Sequence, residues 1–112
     1  PPQYIANNSK VVDTLVNEGC VIYGELSRSV IFPGVYVGEG AEVKHSVIMP
    51  GAKIQPGARV YKSIVGSNAV IGENSQIGVL DSAKTLEEIP LTVIGDGEHI
   101  SPNSTVLEAR RV

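Results

Sequence analysis

LSRSVIFPGVYVGEGAE (26–42), VKHSVIMPGAKIQPGAR (43–59) and VYKSIVGSNAVIGENSQ (60–76) are one 17-residue phrase written three times. Leu26, Val43, Val60 and Ile77 occupy one column, Ile31, Ile48 and Val65 a second, and Val37, Ile54 and Ile71 a third. Within each phrase the aliphatics are spaced five, six and six residues apart. That period matches neither an amphipathic helix of about 3.6 residues per turn nor a lone alternating strand. It matches a triangular solenoid in which each turn supplies three short strands and each strand donates one aliphatic to the axis. The small residues two places before the next aliphatic, Ala41, Ala52, Ala58, Ala69 and Ser75, fit cramped inward positions near the corners. Gly34, Gly51 and Asn68 share one turn column, and Gly40, Gly57 and Asn74 another. Both residue types accept positive φ at low cost, so these columns mark sharp corners. Ser29, Ser46 and Ser63 also align.

The pattern predicts an all-β fold, a parallel β-helix in which each repeat of the phrase forms one coil. Its core is expected on Leu26, Ile31, Val37, Val43, Ile48, Ile54, Val60, Val65, Ile71 and Ile77. The period leaves the hand open. Ordinary crossovers are right-handed, whereas resemblance to hexapeptide-repeat solenoids implies a left-handed coil.

Composition agrees with a narrow aliphatic prism. The chain has 112 residues, 42% hydrophobic but only 4% aromatic, with no Trp, which suits one small domain. A net charge of −3 argues against a nucleic-acid surface. No apolar run approaches the roughly 18 residues of a membrane span, and no signal peptide is evident. The single Cys cannot form an internal disulfide, consistent with a cytoplasmic setting. The chain lacks an initiator Met and opens Pro1-Pro2, so it is expected to be a fragment of a longer protein.

Residues 1–10 read as an extended lead-in and 11–112 as one β-helix domain. In the coil over 11–25, either Val16 and Ile22 point inward, or Cys20 does, one full repeat before Val37. Residues 79–91 (VLDSAKTLEEIPL) lose the repeat and read as an excursion loop. Asp81 or Ser82 could cap a short helical turn there through Leu86 and Ile89, ended by Pro90. The repeat resumes at Val93, with Ile94, Ile100 and Val106 six apart. A solenoid must cover both ends of its apolar axis, and neither terminus supplies an adequate cap. One end is expected to be closed by another domain or subunit.

Chemistry-bearing residues are few. Gly34-Val-Tyr-Val-Gly-Glu-Gly mimics a phosphate cradle, but its glycines recur in the corner columns and no helix follows, as such a loop requires. His45 shares a column with Arg28 and Lys62 and is expected in an exposed polar ladder; His99, before Ile100, is expected exposed. Two histidines fall short of a three-histidine zinc site. Cys20 reads as a small apolar filler without an activating neighbour, and Asp81, Glu87 and Glu88 as a charged loop face. Arg110 and Arg111, the only charge cluster of the tail, are candidates for gripping an anionic effector. No catalytic, cofactor-binding or metal-binding residue is expected within these residues.

PPQY (1–4), LVNEGCVIYGELSRSVIF (15–32) and GVYVGEGAEVKHSVIMPGAKI (34–54) resemble the C-terminal domain of bacterial glucose-1-phosphate adenylyltransferase (ADP-glucose pyrophosphorylase) from Pro1 to about Ile77. The Gly-Cys-x-Ile-x-Gly run at 19–24 and the Ser-Val-Ile runs at 29–31 and 46–48 carry the likeness. The resemblance implies a left-handed β-helix joined to an N-terminal nucleotidyltransferase domain, absent here, that makes ADP-glucose and pyrophosphate from ATP and glucose-1-phosphate with Mg²⁺ for glycogen or starch synthesis. It further implies a homo- or heterotetramer, packing of the β-helix on its own catalytic domain, and an effector pocket between the two. The likeness extends to a paired, catalytically weak paralogue as well as to the catalytic subunit. The pattern departs at Ser67, where some bacterial members place an effector-contacting arginine. Alternatives are a stand-alone hexapeptide acyltransferase, which needs a histidine base in a subunit cleft, the C-terminal domain of another sugar-1-phosphate nucleotidyltransferase, and a noncatalytic assembly protein.

Overall fold

The computed structural model describes residues 1–81 and 83–107. Each aliphatic column of the sequence becomes one ladder of a parallel sheet, and three sheets enclose a prism. The first sheet stacks Tyr4–Ile5, Val21–Ile22, Tyr36–Val37, Lys53–Ile54, Val70–Ile71 and His99–Ile100. The second stacks Lys10–Val12, Glu25–Ser27, Glu42–Lys44, Arg59–Tyr61, Gln76–Ile77 and Thr105–Val106. The third stacks Leu15–Val16, Val30–Ile31, Val47–Ile48, Ser63–Val65 and Thr92–Ile94.

Register follows the columns: Ile54 lies between Val37 and Ile71, Val60 between Val43 and Ile77, and Val65 between Ile48 and Ile94. The ten core positions named from the sequence are all buried, as are Ala41, Ala52, Ala58, Ala69 and Ser75 at the corners. Burying a Val, Leu or Ile side chain contributes roughly 1.5–3 kcal/mol. A ladder of such residues therefore holds short strands that could not persist singly.

The coil over 11–25 is where the sequence left two readings open. Ile22 pairs with Val37 and Val16 with Ile31, so this coil is two residues shorter than the regular ones. The reading that set Cys20 one full repeat before Val37 is therefore corrected. Cys20 lies beside Val35 in the column that continues to Ala52 and Ala69, and it is fully buried together with Ile22. The shortcut runs through Gly24, where an added Cβ would sit 2.5 Å from the carbonyl oxygen of Ala41. The segment read as a lead-in contributes Tyr4–Ile5 to the first sheet, in register with Val21–Ile22. Ile5 remains partly exposed and Val11 and Val16 are only half-buried, so the prism is open at this end.

The serine column has a structural role that spacing alone did not disclose. Ser46 Oγ donates to the Lys44 carbonyl at 2.8 Å and accepts from the Ser63 amide at 3.1 Å. Ser29 repeats this with the Ser27 carbonyl and the Ser46 amide, and Thr14 begins the series. Each hydroxyl thus satisfies one donor where the chain turns between the second and third sheets, at a buried corner where an unpaired amide is costly. Ser46→Ala should lower unfolding free energy by roughly 1–3 kcal/mol. An unchanged midpoint in urea would contradict the ladder.

The excursion leaves the second sheet after Ile77 and returns at Thr92. Its helical turn is a 3₁₀ turn over Leu86–Glu88 capped by Thr85, not by Asp81; Ser82 lies outside the described residues. Glu88 Oε1 accepts the Thr85 amide at 2.7 Å, and this pairing with the backbone holds its carboxyl below the usual range. Asp81 instead turns the chain upstream, accepting the Ala83 amide at 2.9 Å. Ile89 anchors the loop by burial, while Leu80, Leu86 and Leu91 stand exposed.

Candidate functional site

The corner between the second and third sheets carries one file of ionisable side chains. Asp13, Arg28, His45 and Lys62 occupy successive rungs there, all with left-handed backbone (φ 46°, 48°, 52° and 44°). L-residues pay for that conformation, so the fold itself turns these side chains outward in one file. Arg28 and Lys62 therefore flank His45 as the columns indicated. The exposure expected of the file holds for Arg28, whereas His45 and Lys62 are half-buried. The reason is the excursion: Lys62 Nζ donates to the Leu86 carbonyl at 2.5 Å, drawing the loop back over the corner. Leu86 then walls a shallow depression of about 400 Å³ with Asp13, Arg28, His45 and the outward Val30 and Val47. Asp13 Oδ2 lies 4.0 Å from Arg28 Nε, both side chains largely in solvent. A pair so exposed adds little stability.

The arrangement can attract an anion weakly. It does not assemble a base and a nucleophile. Ser29 and Ser46, the hydroxyls nearest His45, are committed to the backbone ladder. Cys20 is buried, with Sγ 3.1 Å from the Phe32 carbonyl. His99 is exposed as expected, on the far end of the first sheet beside Gln55, Glu73 and Pro102. The glycines of the run at 34–40 lie at corners, Gly34 and Gly40 with φ of 74° and 76°. Glu87 and Glu88 lie exposed on the excursion. Among the described residues no group of three or more His, Cys, Asp or Glu converges to hold a metal. Among them, too, no helix is long and apolar enough to cross a membrane. Arg110 and Arg111 lie outside the described residues. The Ser67 amide donates to Asp96 Oδ1 at 2.8 Å, tying that corner to the next rung.

On the second sheet Tyr61 Oη donates to Glu42 Oε1 at 3.3 Å, and Lys44 Nζ stands 3.6 Å from the same oxygen. Burial and the neighbouring carboxylate push the Tyr61 hydroxyl up. It stays neutral and can donate.

Comparison with known proteins adds what geometry alone leaves open. A family model described as GlmU-like, C-terminal hexapeptide, matches residues 3–106. The chain is 34% identical over 108 residues to a glucose-1-phosphate adenylyltransferase of Desulforamulus reducens, covering 96% of this chain and 27% of that protein. It is 44% identical over 95 residues to the enzyme of the same name from Bacillus thuringiensis (strain Al Hakam), covering 85% of this chain and 24% of that protein. The chain thus spans about a quarter of the length of these curated relatives. Among solved structures, the acetyltransferase domain of PglB from Neisseria gonorrhoeae superposes with a TM-score of 0.82 at 20% identity, over 98% of this chain and 51% of that one. At that identity the likeness concerns the fold alone.

Proposed function

Because the chain belongs to the family of GlmU-like C-terminal hexapeptide domains, we propose that it is the assembly and regulatory domain of a cytoplasmic glucose-1-phosphate adenylyltransferase. The observation that carries this reading is the extent of the likeness: 96% of the chain aligns with about a quarter of such an enzyme. Nucleotidyl transfer then belongs to a separate catalytic domain that binds ATP, Mg²⁺ and glucose-1-phosphate. The β-helix packs on that domain and helps build a homo- or heterotetramer; the tail arginines Arg110 and Arg111 are the candidates for an anionic effector. An acyltransferase of this fold needs a histidine base free to act in a subunit cleft. His45 instead sits half-buried between Arg28 and Lys62, and the hydroxyls beside it, Ser29 and Ser46, are committed to the backbone ladder.

The test is pyrophosphate release from ATP and glucose-1-phosphate with Mg²⁺, using the full-length protein, with and without phosphorylated glycolytic intermediates. Release is expected, and residues 1–112 alone should give none. Silence of the full-length protein that a partner subunit relieves identifies the weak paralogue. Silence under every condition, or ADP-glucose formed by residues 1–112 alone, overturns the proposal.

A further inference from the structure

The corner between the second and third sheets joins two kinds of surface that the core does not require there. Its left-handed backbone turns Arg28 and His45 outward on neighbouring rungs, and adjacent strands of a sheet lie about 4.8 Å apart. Beside them, outward Val30 and Val47 and the exposed Leu86 form an apolar wall around the depression of about 400 Å³. A space of that size falls within the range of small-molecule pockets. Inward Ile31 and Ile48 already fill the axis on this side, so Val30 and Val47 are free to serve the surface. Asp13 is the one carboxylate lining the depression. It lies 4.0 Å from Arg28 Nε, and both side chains stand largely in solvent, so it holds that cation loosely. Lys62, on the next rung, has no carboxylate within 4.0 Å among the described residues.

Cations with one loose counter-charge attract an anion, and an aliphatic wall attracts an apolar body. We infer that this corner binds a small organic anion carrying both, an aryl or alkyl phosphate ester or carboxylate, with its charged end on Arg28 and His45 and its apolar end against Leu86, Val30 and Val47. The guanidinium fork matches paired oxygens of either acid group, and imidazole keeps an N–H donor in either charge state. A wholly polar anion gains only the first of these contacts. Lys62 is a positioning residue. Its ammonium donates to the Leu86 carbonyl at 2.5 Å and so holds the wall residue that the excursion supplies. Buried Ile89 is the other anchor of this segment. The ligand therefore selects the form in which the excursion is seated, and by linkage its binding stabilises that form. The inference rests neither on the nucleotidyl-transfer reading nor on Arg110 and Arg111.

Hydrogen–deuterium exchange of the full-length protein, titrated with phenyl phosphate, tests it. Protection of the amides over 83–89 reads binding at this corner apart from any anion site elsewhere in the full-length protein. Phenyl phosphate should slow their exchange, and inorganic phosphate should need a concentration at least about tenfold higher, because it lacks the ring that covers the wall. Arg28→Met should raise the half-saturating concentration of phenyl phosphate about tenfold or more, through loss of a charged donor. Lys62→Met should speed exchange over 83–89 without ligand and weaken binding, and Lys62→Arg, which keeps a donor, should restore both. Lys53→Glu on the first sheet should change neither. Leu86→Ser should abolish the preference for phenyl phosphate over phosphate, and it carries the test if circular dichroism shows that Arg28→Met fails to fold. No protection at about 10 mM phenyl phosphate overturns the inference. So does equal protection by inorganic phosphate, or protection that Arg28→Met and Leu86→Ser leave unchanged.

Discussion

Ile54→Asp should abolish the cooperative unfolding transition of this domain. Ile54 is fully buried at the middle of its ladder, between Val37 and Ile71, and belongs to the single aliphatic core of the prism. Truncating such a residue alone costs about 2–5 kcal/mol. A carboxylate adds the penalty of an unpaired buried charge, again several kcal/mol. Small domains have only about 5–15 kcal/mol in total, and a coil touches only its neighbours, so a fault at the centre divides the prism. Circular dichroism on heating should show no sigmoidal melt. Ile54→Val, by contrast, should cost about 0.5–1.5 kcal/mol. A parent-like melt for the aspartate variant would mean that the inward register is wrong.

Gly78→Ala should be the most damaging single methyl addition. Gly78 ends the last regular strand before the excursion, with φ of 80°, and its amide donates to the Val106 carbonyl at 2.7 Å. A Cβ built there falls 2.0 Å from the Tyr61 carbonyl oxygen and 2.8 Å from Ser63 Oγ. Neither can yield freely, since Ser63 Oγ itself donates to that carbonyl at 2.7 Å. Left-handed strain of about 1–2 kcal/mol adds to an overpacking cost of about 1–3 kcal/mol. The melting temperature should therefore drop by roughly 10–40 °C, at some 4–8 °C per kcal/mol. Gly97→Ala provides the control: φ is 68° but nothing lies within 4 Å of the added carbon. It should lose only the strain term. Equal effects at the two sites would show that conformation, not space, governs Gly78.

The coarse fold was legible because a solenoid repeats its environment. Ile31, Ile48 and Val65 meet the same neighbours one coil apart, so the same chemistry recurs at a fixed interval and the core can be read without three-dimensional information. Legibility fails where the interval changes. Cys20 was ambiguous because its coil is two residues short, a change decided by the tight passage of Gly24 beneath Ala41. The cap of the excursion was misplaced because Asp81 and Thr85 are both good capping residues, and only the path of the loop shows which one precedes the turn.

The candidate site divides in the same way. The file of Arg28, His45 and Lys62 follows from the repeating column in the sequence, since side chains at equivalent corners must stack. Its half-burial does not, because that depends on the contact between Lys62 and the Leu86 carbonyl, 24 residues on and inside the non-repeating excursion. By itself the sequence determined the period, the core residues, the corner positions and the kinship, all of which are local patterns renewed in every coil. Only the tertiary structure decided the length of the irregular coil and the seat of the excursion over the cationic corner. Those features arise from how separate coils come into register and where a non-repeating segment comes to rest, and no fixed spacing encodes either.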